Sequence, residues 1–145
     1  MEIYTIGFTK RTASEFFGAL KQAGIKRLLD VRLNNVSQLA GFTKRDDLPF
    51  FLKEICGAEY VHQPLLAPTQ DMLDAYKKRK GSWQDYEDKF LQLMEERKIE
   101  ERVNRDTFSV PTTLLCSETT AQYCHRRLVL EYLKGKWGDL KIIHL

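Results

Sequence analysis

The chain has 145 residues, of which 43% are apolar and 30% are charged, and its formal net charge is +3. These values exclude a disordered chain and predict one globular domain over residues 1–145. The small positive charge argues against a dedicated nucleic-acid binder. No apolar run approaches the length of a membrane span, and the N-terminus lacks the apolar core of a signal peptide. We therefore expect a cytoplasmic protein with no membrane contact.

The first half of the chain alternates short strands with helices. Thr12 and Glu15 have the spacing of a capping box, in which each residue's side chain bonds the other's backbone amide. The helix that follows carries apolar residues at helical spacing, and Gly24 suits its C-terminal cap. The predicted elements are, in order, strand 2–6, helix 12–24, strand 27–33, helix 46–57 and strand 59–62.

The second half holds two strands and three predicted helices. The elements are helices 69–80 and 83–103, strand 112–115, helix 121–134 and strand 141–144. Strands that are separated by helices imply a parallel sheet. We predict an α/β fold, a doubly wound three-layer sandwich with a mainly parallel sheet of about five strands and helices on both faces. Rossmann-like and flavodoxin-like folds have this architecture.

In such sheets a ligand binds beyond the carboxyl ends of the strands, where the strand order reverses. This rule points to segments 7–11, 30–35, 62–66 and 116–120. If the reversal falls between the first and fourth strands, segments 7–11 and 116–120 are neighbours, and two helix N-termini face one crevice that suits an anion. The cations that could line it are Lys10, Arg11, Arg32 and Arg126. A strand order that separates those two strands would contradict this hypothesis.

Residues 116–127 read CSETTAQYCHRR and place two of the three cysteines beside a histidine. Cys116 precedes a helix N-terminus, where thiol pKa values fall, and His125 is the nearest base, so the pair could form a nucleophile. A buried, unreactive Cys116 is the simpler interpretation. A phosphatase loop would place an arginine six residues after the cysteine, and Gln122 stands there instead.

Other features of residues 116–127 also have a structural explanation. An odd number of cysteines without framework spacing predicts reduced thiols. Cys124 and His125 border the apolar stripe of the predicted helix, so His125 suits a hydrogen-bonded core residue. Metal binding by these residues with Cys116 is disfavoured because no CxxC is present, and we predict no metal.

Arg126 and Arg127 cannot both be buried without partners. The candidate partners are Asp30, Glu118 and Glu131. An arginine–carboxylate brace and a ligand-binding arginine remain open as alternatives.

The basic run 77–80 ends a predicted helix, where cations complement the dipole. A solvated helix end is the simpler interpretation, and a nucleic-acid contact is the alternative. Tyr76 and Trp83 beside it could stack on bases or pack in the core. The glycine-rich nucleotide motifs are absent, so the sequence identifies no cofactor.

The segments YTIGFTKR, LLDVR, EYVH, LLCSE and YCHRR together resemble the DUF488 family (domain of unknown function 488). The resemblance spans nearly the whole chain. Its motif positions correspond here to Gly7, Asp30, Arg32, Cys116, Glu118, Cys124, His125 and Arg126. Phe8 stands where the family commonly has histidine, and LNNVSQLAGFTK replaces a stretch that commonly carries proline and arginine. The resemblance implies a compact cytoplasmic prokaryotic α/β domain and no particular activity.

We therefore expect an enzyme or a binding domain for an anionic small molecule, a nucleotide or a phosphorylated metabolite. The candidate catalytic residues are Cys116, Glu118, His125 and Asp30. The candidate ligand-binding residues are Gly7, Lys10, Arg11, Arg32, Cys124 and Arg126, with the guanidinium groups of Arg32 and Arg126 as the clamp on the anion. The alternatives are a nucleic-acid-binding module and a thiol redox or metal-binding protein. The sequence leaves the oligomeric state open.

Overall fold

A computed structural model describes residues 1–34, 41–117 and 122–145. Within these ranges the strands are β1 (Glu2–Gly7), β2 (Arg27–Asp30), β3 (Glu59–His62), β4 (Thr112–Cys116) and β5 (Lys141–His144). The helices are α1 (Ala13–Gln22), α2 (Leu48–Phe51), α3 (Gln70–Lys77), α4 (Trp83–Arg97), α5 (Ile99–Arg102) and α6 (His125–Trp137). A π-helical turn, Leu52–Cys56, continues α2.

The described strands form one sheet in the order β3-β2-β4-β1-β5, and each neighbouring pair is parallel. One apolar cluster packs α1, α2 and the π-helical turn on one face of the sheet. A second cluster packs α4, α5 and α6 on the other face, with partly buried side chains of α3 against it. The predicted three-layer α/β sandwich of Rossmann-like type is confirmed. Each face is covered by the helices that the strand order requires for right-handed crossovers.

The capping box that was predicted for α1 is present. The Thr12 hydroxyl accepts from the Glu15 backbone N–H at 3.1 Å, and the Glu15 carboxylate accepts from the Thr12 N–H at 3.0 Å. The buried face of α1 is Phe16, Phe17 and Leu20. Gly24 follows the helix with φ +70°, a left-handed conformation that glycine adopts without steric cost.

The predicted helix bounds need three corrections. The helix expected over 83–103 breaks at Lys98, whose φ of 51° cannot continue an α-helix. The helix expected over 46–57 becomes the short α2 and the π-helical turn, which Gly57 ends in a left-handed conformation. The helix expected over 121–134 begins at His125, because the backbone of Cys124 is extended with φ −138° and ψ 139°. Ala121, which the prediction placed in this helix, lies outside the described residues.

The strand expected over 27–33 ends at Asp30. A local hydrogen bond ends the strand, because the Arg32 backbone N–H donates to the Asp30 carboxylate at 3.1 Å. Among the helices of the described ranges, none combines the length and the apolar character that crossing a membrane requires.

Candidate functional site

The strand order meets the condition that the crevice hypothesis set. β1 and β4 are neighbours, with Gly7 opposite Cys116 in the register. The pairing continues one step beyond the strands, where the Thr9 N–H donates to the Ser117 carbonyl at 2.9 Å. The chain leaves β1 toward the face that carries α1 and leaves β4 toward the face that carries α6. Phe8 and Ser117, which follow the two strands, border one crevice, as expected for a switch point of a doubly wound sheet.

Asp30 and Arg32 form a buried ion pair at the end of β2. The Arg32 Nε and Nη2 donate to the two carboxylate oxygens of Asp30 at 2.8 and 2.7 Å. The Tyr60 hydroxyl donates to the same carboxylate at 2.6 Å, and the Thr43 carbonyl accepts from Arg32 at 2.6 Å. Asp30 is 0% and Arg32 5% exposed. The sequence analysis had offered Asp30 as a partner for Arg126 or Arg127 and Arg32 as a ligand contact, whereas in the structure Asp30 pairs with Arg32.

The other candidate cations separate in space. Arg126 is 1% exposed, and its Nη1 lies 3.8 Å from the Cys116 sulfur. Arg127 donates to Glu131 at 2.9 Å, a partner that the sequence had named. Arg11 donates to the Leu145 carbonyl at 2.7 Å, on the side of β5, and Lys10 is exposed on the turn after β1. Glu118, a candidate catalytic residue, lies outside the described residues.

Cys116 and Cys124 form a disulfide bond. The prediction of reduced thiols is therefore wrong for this pair, and Cys56 is the free cysteine. The sequence could not show the pairing, because it depends on β4 ending where α6 begins. Both bonded cysteines are 2% exposed. Cys56 lies in the cluster on the other face of the sheet, where burial raises the pKa of its thiol.

His125 sits at the first position of α6, between the disulfide and β2. Its Nε2 lies 2.7 Å from the Val31 carbonyl, and because a carbonyl only accepts, Nε2 is the protonated nitrogen. Its ring packs against Phe90 with the centroids 5.5 Å apart. This is the hydrogen-bonded core histidine that the sequence favoured, at a position that also borders the crevice.

A cavity of about 320 Å³ opens beside this edge, and we call it the lysine cavity. One wall is a single face of α3, whose side chains follow helical spacing. These side chains are Gln70, Leu73, Asp74, Lys77 and Lys78. The opposite walls include Phe8, Arg32, Ser117 and His125. The Gln70 amide donates to the Asp74 carboxylate and lowers its pKa, so Asp74 stays ionised and pairs with Lys78 at 3.6 Å.

A narrower cavity of about 60 Å³ is lined by Cys116 and Cys124, and we call it the sulfur cavity. It shares four lining residues with the lysine cavity, namely Leu73, Lys77, Ser117 and His125. Tyr76, Trp83, Tyr86 and Tyr123 supply its aromatic wall. The Tyr76 and Trp83 rings pack with their centroids 5.5 Å apart, as the packing interpretation of these residues required.

The basic run 77–80 was predicted to be a solvated helix end, and the alternative was a nucleic-acid contact that uses the same crevice. The small-molecule hypothesis did not include Lys77 and Lys78. In the structure none of the α3 side chains is fully buried, and one face of the helix borders the crevice. The available signal was the polar spacing of 70, 74, 77 and 78, which repeats along one helical face.

The ligand atoms of Cys116, Cys124 and His125 lie within 4.8 Å of one another. These residue types are zinc ligands, but a metal ion would need the two sulfurs as separate thiolates. The disulfide therefore excludes such an ion in this state of the protein. A larger and more open groove of about 580 Å³ runs between α4 and α6, away from the motif residues, and holds Asp88, Glu95 and Glu131.

The family model described as a domain of unknown function, DUF488, matches residues 12–133. This range contains the disulfide, the ion pair at the end of β2 and the helix that carries the lysines. Neither the curated proteins nor the solved structures include one that matches the chain.

Proposed function

We propose that this chain, which belongs to the DUF488 family, binds a small anionic molecule in the lysine cavity. Nucleotides and phosphorylated metabolites are the favoured class. The observation that carries the proposal is the charge of the lining: the exposed lysines Lys77 and Lys78 share the cavity with one carboxylate, that of Asp74. Concave walls of low dielectric strengthen the field of such a set of charges.

The lysines are the anion contacts in this proposal. Asp30 already neutralises Arg32, so the guanidinium contributes shape and a weak residual field. Arg126 is buried beside the Cys116 sulfur, so we assign it a structural role and not a contact with the ligand. Lys77 and Lys78 can bend toward a ligand because lysine has a flexible four-carbon stem. The volume of about 320 Å³ lies at the lower end of the range for small-molecule sites.

His125 is the ionisable ring that the cavity offers to a bound anion. Its Nε2 is committed to the Val31 carbonyl, which fixes the orientation of the ring. We assign His125 and the neighbouring sulfurs to the reactive end of the site and Lys77 and Lys78 to the binding end.

A nucleic-acid interface is less well supported than a small-molecule site. The rings that could stack on bases, Tyr76 and Trp83, are half-buried and packed on each other and on Tyr86. An oligonucleotide also needs an open basic groove, whereas the larger groove of the described residues carries three carboxylates and one lysine, Lys136.

Thermal unfolding in the presence of inorganic phosphate, pyrophosphate, nucleotides and short oligonucleotides tests the proposal. A ligand at a hundred times its Kd adds about 2.7 kcal/mol to the stability and visibly raises Tm. We expect a small anion to do so, and we expect Lys77→Gln with Lys78→Gln to weaken its binding by about tenfold or more. The matched control, Lys53→Gln with Lys134→Gln, removes the same charge from exposed positions outside the cavity lining.

Two outcomes would contradict the proposal. If both double variants weaken binding equally, the anion responds to net charge and not to the lysine cavity. If oligonucleotides alone raise Tm and the effect falls steeply with salt, the chain is a nucleic-acid-binding module.

A further inference from the structure

The sulfur cavity and the lysine cavity are neighbours in the structure. Lys77, Ser117 and His125 line both cavities. An anion at the lysines therefore lies next to the cavity that Cys116 and Cys124 line. The sulfur cavity holds only about 60 Å³ and has aromatic walls, so it admits a thin chain and excludes a folded partner.

We infer that Cys116 and Cys124 are a redox-active pair that exchanges with a low-molecular-weight thiol carrying an acidic group. The acidic group binds at Lys77 and Lys78, and the sulfur enters the sulfur cavity. The inference rests on the proposed anion site and names its substrate class. The pair cycles between the disulfide in this structure and a dithiol.

The surroundings of the pair favour a thiolate at Cys116 in the reduced state. The Arg126 guanidinium lies 3.8 Å from this sulfur and is itself 1% exposed, so its charge acts without much screening by water. A cation beside a cysteine lowers its thiol pKa, and a thiol of lower pKa leaves faster in exchange. Cys124 is the N-cap residue of the 13-residue α6, and the helix dipole favours negative charge at this N-terminus.

The exchange has two steps. In the first, the small thiolate attacks the Cys124 sulfur, the Cys116–Cys124 bond breaks, and Cys116 leaves as a thiolate beside Arg126. In the second, another small thiolate attacks its counterpart in the mixed disulfide, and Cys124 leaves. The protein disulfide gains two electrons and two protons, and two small thiols become one small disulfide.

Three thiols of similar size test the inference on the folded full-length chain. They are 2-mercaptoethanesulfonate, 2-mercaptoethanol and cysteamine, which are anionic, neutral and cationic. Alkylation followed by mass measurement counts the free thiols. The disulfide predicts one alkylated cysteine, Cys56, after denaturation, and three after reduction. At equal thiolate concentration and low salt we expect the anionic thiol to reduce the pair about tenfold faster than the neutral one.

The variants separate the two parts of the inference. Lys77→Gln with Lys78→Gln should abolish the preference for the anionic thiol, so that 2-mercaptoethanesulfonate and 2-mercaptoethanol reduce the pair at equal rates. With the disulfide of the small thiol supplied as the oxidant, Cys116→Ser should retain a mixed disulfide on Cys124, whereas Cys124→Ser should not accumulate one on Cys116. Cys56→Ser should behave as the wild-type chain in every rate, because Cys56 lies across the sheet.

Each failure has its own signature. A disulfide that resists all three thiols until the chain is denatured is structural, and it overturns the redox inference even if phosphate still raises Tm. Equal rates with all three thiols, together with no effect of phosphate on Tm, overturn the anion site and the acidic substrate class. Stoichiometric zinc on unoxidisable thiols of Cys116 and Cys124 would overturn the inference in favour of a metal site.

Discussion

The carboxylate of Asp30 is fully buried and serves two neighbours. It accepts both guanidinium bonds of Arg32 and the hydroxyl of Tyr60. Removing one member of a buried ion pair leaves the other as an uncompensated charge, which costs more than the pair contributes. The brace is therefore sensitive to single substitutions at the residue scale.

We predict that Asp30→Asn destabilises the protein by about 3–5 kcal/mol. The comparison is Asp46→Asn, which removes the partner of Arg45 from an ion pair whose side chains are 60% and 85% exposed. Its effect should stay within about 1 kcal/mol, because exposed pairs contribute little. Urea unfolding of the two variants measures both values. A small and equal loss in the two variants would show that Arg32 finds another partner.

The sequence indicated Asp30 as the carboxylate of an ion pair but did not identify the arginine. Asp30 was named as a partner for Arg126 or Arg127, whereas Arg32 holds it. Positions 30 and 32 point to the same side of an extended backbone, so the sequence pattern could have predicted that the two side chains are close. The bond to the Thr43 carbonyl could not be predicted, because it depends on where the 3-10 turn Gly41–Thr43 packs in the fold.

Elements with local signals were predictable and elements placed by tertiary contacts were not. The capping box of α1 and the left-handed Gly24 follow from sequence spacing alone. α3 carries polar and charged residues on the face that borders the lysine cavity, and nothing in its own sequence says where that face points. The start of α6 was also misplaced, because apolar spacing continues through an extended Cys124.

β5 is the edge strand beside β1, and the titratable side chain of His144 lies in the contact between the two strands. The His144 Nδ1 lies 2.5 Å from the Thr5 hydroxyl, and Thr5 is fully buried. Desolvation lowers the pKa of His144, and the charges of Arg126 and Arg127 lower it further. The folded chain thus keeps His144 neutral at a pH where the unfolded chain is already protonated.

We predict that this edge loses stability on acidification. Because the folded pKa of His144 is the lower one, its contribution is complete above the ordinary value of 6.5 and declines as pH falls from there to the folded pKa. The free energy of unfolding of the wild type and His144→Gln, measured between pH 8 and pH 5, checks this. The advantage of the wild type should shrink as pH falls. An advantage that stays constant would mean that His144 does not titrate in this range.

At the scale of the whole molecule, β4 explains why the site lies where it does. It is flanked by β2 and β1, and both neighbours send their connections to the opposite face from the one that β4 uses. Crevices therefore open on both sides of its carboxyl end. The alternation of strands and helices predicted this topology, whereas the disulfide needed the three-dimensional meeting of Cys116 with Cys124.

The disulfide also links the redox state of the site to the stability of the whole fold. It closes a loop across a sequence separation of 8, which restricts the unfolded chain more than the folded one. For a loop this short the chain-entropy relation gives about 2–3 kcal/mol. We predict that a reductant lowers the free energy of unfolding of the oxidised wild type by this amount.

The control is the double variant Cys116→Ser with Cys124→Ser, whose stability should not respond to reductant at all. Denaturant unfolding with and without reductant measures both chains, and Cys56 is present in each. If reduction does not lower the free energy of unfolding of the wild type, the attraction between Arg126 and the Cys116 thiolate offsets the loss of the restriction that the disulfide placed on the unfolded chain. Since the exchange that we infer needs a folded dithiol form, a loss of about 2–3 kcal/mol has to leave a stable native state. Reduction that unfolds the chain completely would instead identify the bond as a structural staple.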